Sequence, residues 1–559
     1  MNLDLSRIQS FFPAMQLPGT VLAHGVRAFR LTLTGLPPQR GFQWAELRLP
    51  RNFPHRGKAQ IVLSPDAVLR SPHVDSAGVV CIDEDPGALA GLTAEERILY
   101  VLDSFVQKFL LPWSAGALDN DFEDEALNYW SIHVKRKRTS RNPIFSVWTI
   151  DSCPSRAAIR NGWLLLPERT VIVADDLTEF PLRVMKSIGV GARQRVGVSI
   201  ADIPIEVPLT PATWPKSNFD LDMILQGRLS DDDFLDFSSS RSHSGRKKHR
   251  IVLFRNAEFG FAYLLGGGPP TIIDYGKKRK TYPSSLTISP LPVSRIDPSW
   301  TYGRDQYSEI AHRQQSHVLV FGLGALGSPI IDQLAKAGVG NITIVDPDTL
   351  SPANIGRHVL GLDSVGVSKA KALAYRIGQA HPSCNISCAA IEAGDWFQRN
   401  SLNDVNLVLD LTGEPEVRQL IDHQRQNKYC AFLVGWMEPY VAAAHACLIP
   451  RGVSWYHNGE DPLTKLEAVT WPPEVLRREP GCSSSFQSYT AAAATYAVGI
   501  IIEAALRLLD EPNMSTGKVV SWVRGQGYLN KHWPGLKHRD WAVAAAVHDG
   551  IIMTRDFND

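Results

Sequence analysis

His317-Val-Leu-Val-Phe321 runs straight into Gly322-Leu323-Gly324-Ala325-Leu326-Gly327, and this junction decides the fold. The first five residues are an apolar strand. Ser328 to Ala337 read as a helix, with Gly338 as its C-terminal stop. A second apolar strand, Asn341-Ile-Thr-Ile-Val345, ends at Asp346. Strand, glycine-rich turn, helix and strand in this order make a βαβ unit of a Rossmann-like sheet. The glycines let backbone approach phosphates, and the helix N-terminus offers unpaired N–H groups to them. Asp346 stands where a carboxylate accepts hydrogen bonds from ribose hydroxyls. By itself the unit predicts nucleotide or dinucleotide binding, and an NAD-dependent oxidoreductase or a nucleotide-binding scaffold satisfies it.

The residues downstream narrow that reading. Asp346-Pro-Asp348 is followed by Asn354-Ile-Gly-Arg357 and then by Gly366-Val-Ser-Lys369-Ala-Lys371. A dehydrogenase has no general need for an arginine and a lysine here. Attack on an α-phosphate with departure of pyrophosphate does, because negative charge must be neutralised. With these residues in place, Arg304 to Ile502 resembles the adenylating enzymes of the ubiquitin-activating, ThiF and MoeB superfamily. The resemblance implies that Gly322, Gly324 and Gly327 cradle phosphates and that Asp346 holds ribose. It implies that Asp348, Asn354, Arg357 and Lys369 contact the triphosphate of ATP and that Cys482 forms an acyl thioester. It covers the strand Leu407-Val-Leu-Asp410. It also implies a homodimer, with an arginine from near the domain start acting across it; Arg304 is the candidate and Arg313 the alternative. The family's acidic residue three positions after Asp410 is replaced by Gly413, so either Glu414 or Asp410 is expected to take over the magnesium, or the metal is held in a different way.

The rest of the chain is read outward from there. Its 559 residues suffice for three or four domains. Net charge of +1 gives no field that favours nucleic acid or a membrane surface. The start has no basic segment followed by an apolar core, so no secretory signal is expected. The most apolar run, Ala491 to Ile502, is expected to be a buried helix. Seven scattered cysteines suit free thiols in a reducing cytoplasm, and no second pair joins Cys384 and Cys388 to make a zinc site. Residues 141–300 carry short strand-like pieces separated by Gly and Pro, which predicts a β-rich middle domain between units at 1–140 and 301–559. The basic stretch Ser238 to Arg250 reads as a solvated loop.

Residues 1–140 contain alternating strands at Phe29–Thr34, Trp44–Leu49 and Ala59–Ser64, and a helix capped by Thr93 with Glu96 three residues on. Ser71-Pro72-His73, Asp75, Gly78 and Cys81 follow the third strand. Over residues 20 to 130 this order is similar to a ubiquitin-conjugating enzyme domain, which implies that Cys81 carries a thioester. His73 replaces the family's oxyanion asparagine and, as an imidazole donor, could take its role; Asp75 could assist.

The expected architecture is α/β and multidomain: an α+β ubiquitin-conjugating-like domain, a β-rich middle domain and a Rossmann-like adenylation domain. The combination resembles the activating–conjugating fusion enzymes of CBASS anti-phage operons. That resemblance implies ATP-dependent activation of a partner's C-terminus and transfer through Cys482 and Cys81 to a target lysine or other amine. The partner it implies is a cGAS-like nucleotidyltransferase, with a ubiquitin-like protein as the alternative. A sulfur-transfer activating enzyme of the ThiF type would leave Cys81 without a role.

Overall fold

The computed structural model describes residues 3–34, 36–87, 91–138, 143–177, 179–191, 194–239, 248–265, 271–275, 278–282, 288–425, 429–456, 459–475, 477–478, 485–486 and 489–558. Cys482 and most of the basic stretch between Ser238 and Arg250 lie outside them. The chain forms two compact units, one of Met1–Asp176 with Ala192–Ser294 and one of Leu177–Gly191 with Arg295–Asp559.

The first unit opens with helix α1 (Leu5–Phe11) and an antiparallel sheet of β1 (Thr20–Val21), β2 (Arg27–Leu31), β3 (Ala45–Leu49) and β4 (Gln60–Leu63), paired in that order. The expected alternation holds on the inner face, where Phe29, Leu47, Ile61 and Leu63 are buried with Ile98, Leu102 and Phe105. Helix α2 (Ala94–Ser104) starts as its sequence predicts: Thr93 accepts from the Glu96 amide while Glu96 accepts from the Thr93 amide. Its buried Arg97 forms an ion pair of 2.7 Å with the equally buried Asp85. Asp85 also accepts from the Ala59 and Gly87 amides, so the segment after Cys81 is tied to β4 and α2. Helix α3 (Ala126–Lys137) presents Trp130 edge-on to Phe261 and Tyr263.

Those last two rings belong to a closed barrel. Its strands are β5 (Ser146–Thr149), β6 (Ala158–Leu165), β7 (Thr170–Val173), β8 (Arg195–Pro204), β9 (His249–Arg255), β10 (Gly260–Leu265) and β11 (Ser289–Arg295). They pair around the barrel as β10-β11-β5-β7-β6-β8-β9. Most of the β-rich middle region is therefore a closed sheet, whose closure removes its edges, and Thr271–Tyr275 pairs with Lys278–Tyr282 as a separate two-stranded sheet.

The second unit is built on an eight-stranded sheet. Helix α4 (Glu179–Ser187) belongs to this unit, where Arg183 donates to the Pro382 carbonyl at 2.7 Å. The strands are β12 (His317–Phe321), β13 (Asn341–Val345), β14 (Asn385–Ala389), β15 (Leu407–Asp410), β16 (Ala431–Met437), β17 (Ala443–Ile449), β18 (Lys518–Arg524) and β19 (Gly550–Asp556). Their order is β14-β13-β12-β15-β16-β17-β18-β19. The first five are parallel and the last three pairings antiparallel. Helix α5 (Gly327–Lys336) follows β12, and α6 (Lys369–Ala380) and α7 (Pro415–Arg425) follow β13 and β15. The order turns back on either side of β12, so a crevice opens between the carboxyl ends of β12 and β15.

The apolar run at Ala491 continues further than expected, as the helix α8 (Ala491–Asp510) of 20 residues. By length and composition this helix could cross a membrane. In this unit Ala497, Ile501, Ala505 and Leu509 of α8 are instead buried in the core that covers one face of the sheet.

Candidate functional site

The turn after β12 is held from three directions. Gly322 takes φ +88°, and a Cβ there would lie 2.7 Å from the Leu411 carbonyl carbon at the end of β15. A Cβ on Gly327 would fall 1.9 Å from the Gly322 oxygen, so only glycine lets the turn close onto the first residue of α5. A Cβ on Gly324 would meet nothing within 4 Å, and Gly324 lines a cleft of about 290 Å³ at the crevice between β12 and β15. That open edge leaves bare backbone for a phosphate to approach.

Asp346, buried at the end of β13, accepts from the Leu323 amide at 2.7 Å through one oxygen and from the Asp348 amide at 2.9 Å through the other. It therefore braces the turn as well as lining the cleft. The Leu323 carbonyl accepts from His358 Nε2 at 2.8 Å, and His358 Nδ1 accepts from the Leu360 amide at 3.0 Å. Burial pushes the His358 imidazole below its usual range, which suits this neutral, donor-plus-acceptor role. Sequence reasoning missed His358; its position directly after Arg357 was the available signal.

Gly322, Gly324, Asp346, Asp348, Lys369 and Glu414 all line the cleft. Lys369 opens α6 with a buried stem, and its Nζ lies 2.7 Å from Asp348. Other expected residues stand elsewhere. Arg357, expected at the triphosphate, does not line this cleft; its guanidinium sits 5.2 Å from the Tyr489 ring centroid. Asn354 accepts from the Ser351 amide and hydroxyl and so shapes its own turn. Arg304 caps a short helix in the left-handed region, its guanidinium over Trp300 at 4.8 Å. Arg313 is paired with Asp510 at 2.6 Å.

The two candidate magnesium carboxylates also separate. Asp410 is fully buried, accepts from the Thr412 amide and hydroxyl at 3.0 and 2.6 Å, and faces Arg418 at 3.5 Å. It ties β15 to α7 rather than facing the cleft. Glu414 does face it, and burial together with Glu392 and Asp410 raises its carboxyl above the usual range. Among the described residues no three His, Cys, Asp or Glu side chains form a metal cluster. A magnesium ion that takes most of its oxygens from bound phosphates needs only one or two carboxylates, and Glu414 fits that demand.

The second thiol site lies in the first unit. Cys81 is exposed, and its amide donates to the His73 carbonyl at 2.8 Å. Asp75 Oδ1 accepts from the Ala77 and Val79 amides, both at 2.8 Å, and so shapes the turn that leads into Cys81. His73 takes φ 54°. Its Nε2 lies 2.7 Å from Asp121 and its Nδ1 3.3 Å from Glu125. Both ring nitrogens are thus engaged by carboxylates, not directed to an oxyanion as expected; the contact with Cys81 is made by the backbone. Partial burial, then the nearby Asp75, Glu125 and Glu84, push the Cys81 thiol up, so it rests protonated.

Residues 303–437 match the ThiF family. The chain is 25% identical over 263 residues to the ATP-dependent ubiquitin transferase-like protein Cap2 of Pseudomonas aeruginosa, covering 44% of this chain and 46% of that protein. It is 36% identical over 170 residues to the protein of the same name from Enterobacter hormaechei, covering 29% and 28%. It is 35% identical over 109 residues to the adenylyltransferase and sulfurtransferase UBA4 of Yarrowia lipolytica, covering 20% and 28%. The matched stretches span less than half the length of each of these relatives.

Proposed function

We propose that this chain, which carries a ThiF-type domain at 303–437, is an ATP-dependent protein-conjugating enzyme: it adenylates a partner's C-terminus and passes the acyl group through two cysteines to an amine. The observation that carries the reading is that Gly324, open to approach, and Lys369, a cation on a buried stem, share one cleft. Backbone at Gly322 to Gly327 and the N-terminus of α5 receive phosphate oxygens of ATP. Asp346 meets the ribose. Lys369 exchanges part of its interaction with Asp348 for the phosphates and offsets charge as the partner's carboxylate attacks the α-phosphate. The P–O bond to the β-phosphate breaks and pyrophosphate leaves. Glu414 would hold a magnesium ion, which supplies further neutralisation of phosphate charge.

Cys482, outside the described residues, then attacks the acyl carbon and AMP departs, leaving a thioester. Cys81 exchanges with it, thiol for thioester, in a ubiquitin-conjugating-like domain. An amine, such as a lysine, attacks last and releases the Cys81 thiol. The four carboxylates around Cys81 and His73 suit an incoming cationic amine. The donor is a cGAS-like nucleotidyltransferase of an anti-phage system or a ubiquitin-like protein, and the enzyme acts as a homodimer through its adenylation domain. A groove of about 1480 Å³ along α8 and β19 supports that pairing.

The similarity to an adenylyltransferase and sulfurtransferase supports a second reading, sulfur-transfer activation, in which Cys81 is idle. Non-reducing gels and intact mass decide between them, with ATP, magnesium and proteins encoded beside this chain as donors. A thiol-sensitive adduct that needs Cys482, and a second lost in Cys81→Ala, supports conjugation. An adduct and product formation indifferent to Cys81→Ala supports sulfur transfer. Absence of both adduct and ATP–pyrophosphate exchange sinks both readings.

A further inference from the structure

A second pocket of the same unit, about 550 Å³, opens at the N-terminal end of α8. Its walls are Tyr440, Tyr489, Tyr496, Tyr528 and His532, and one cation, Arg524, lies among them. The Arg524 guanidinium is stacked over Tyr528 at 4.2 Å, Trp522 at 4.5 Å and Tyr496 at 5.2 Å. Its Nε is buried without a hydrogen-bond partner, and among the described residues Arg524 forms no ion pair. In the same unit Arg313 is paired with Asp510, Arg418 with Asp461 and Arg539 with Glu467, whereas Arg304, Arg357 and Arg555, like Arg524, lie over aromatic rings; of these four only Arg524 lines this pocket. Stacking rings on the faces of a guanidinium leaves its in-plane N–H groups free, the geometry that binds a carboxylate with two parallel hydrogen bonds. Tyr440 takes φ 57°, and the Tyr528 hydroxyl donates to its carbonyl at 2.8 Å, so this hydrogen bond holds the wall in its left-handed conformation.

The pocket also has a fixed relation to the nucleotide cleft. Tyr489 forms its wall and stacks on Arg357, while the next residue, His358, grips the Leu323 carbonyl in the glycine-rich turn. Two consecutive residues therefore connect the pocket to the phosphate turn.

We propose that this pocket receives an acidic side chain from the C-terminal tail of the protein whose terminus is adenylated, with Arg524 as its counter-ion. The proposal rests on the adenylation reading above. The tyrosines bury the methylene stem, the guanidinium pairs the carboxylate, and the pocket selects donors by sequence before chemistry begins.

The test uses the full chain and short fluorescent peptides that end in a free glycine carboxylate, carrying a single Glu, or Gln in its place, at successive positions before the end. Anisotropy reads binding, and ATP–pyrophosphate exchange reads activation. Glu at one position should bind about ten-fold tighter than Gln, as expected for a charge-assisted bidentate pair. That preference should vanish in Arg524→Gln and persist in Arg399→Gln, an exposed arginine of the same unit. Exchange without a Glu preference, or a preference that survives Arg524→Gln, overturns the pocket and leaves adenylation standing. Glu-preferring binding without exchange keeps the pocket and overturns adenylation. If wild type shows no preference and Arg524→Gln turns a dimer into monomers in sedimentation, a second copy occupies the pocket and the proposal fails.

Discussion

Lys369 and Asp75 show how much of the site rests on single charges. Lys369 is buried, but its partner Asp348 is 64% exposed and stays hydrated without it. Lys369→Met should therefore reduce ATP–pyrophosphate exchange about 100-fold, the usual loss when one transition-state donor is removed, with little change in melting temperature. A fall in stability that accounts for the loss would assign the lysine to packing. Asp75 contributes one of the charges that hold the Cys81 thiol high. Asp75→Asn keeps an oxygen for the Ala77 and Val79 amides and removes the charge. A raised pKa means less thiolate below it, so the variant should be alkylated at Cys81 about two- to five-fold faster at mildly alkaline pH. The difference should close once pH exceeds the thiol pKa of both proteins. Equal rates throughout would remove Asp75 from the electrostatics of this thiol.

At the scale of elements, sequence and structure agree where local chemistry specifies the backbone. The Thr93–Glu96 box starts α2 where its residues predict, and Thr93→Ala should lower stability by about 1 kcal/mol in urea unfolding; no loss would mean the cap is replaced by solvent. The strand–turn–helix at His317 to Lys336 was legible because glycine is the one residue that survives the Gly322 and Gly327 contacts. What was not legible depends on contacts distant in sequence. The barrel closes by pairing β10 with β11 and β11 with β5, and no local pattern encodes that order. Asp410 ends its strand as expected, yet Arg418 and Thr412 draw its carboxylate away from the cleft. His73 lies beside Cys81 as the spacing implied, but Asp121 and Glu125, from a segment some fifty residues later, decide where its ring points. Spacing reports which residues meet; side-chain direction is set by partners that spacing does not reveal.

For the whole molecule, two compact units predict more than one calorimetric transition. The proposed ATP cleft lies within the second, so on that reading a non-hydrolysable analogue should raise one transition and leave the other in place. A uniform shift of all transitions would show that the units unfold together. The chain also enters its second unit early, with α4 supplied between β7 and β8 long before the rest of that unit follows. Arg183 and the carbonyl it meets are 199 residues apart. At about 5–20 residues per second, the ribosome delivers that partner about 10–40 s after α4 itself has been made. During that interval the apolar side of α4, with Val184 and Met185, has no permanent cover, which makes it a natural landing place for a chaperone during synthesis.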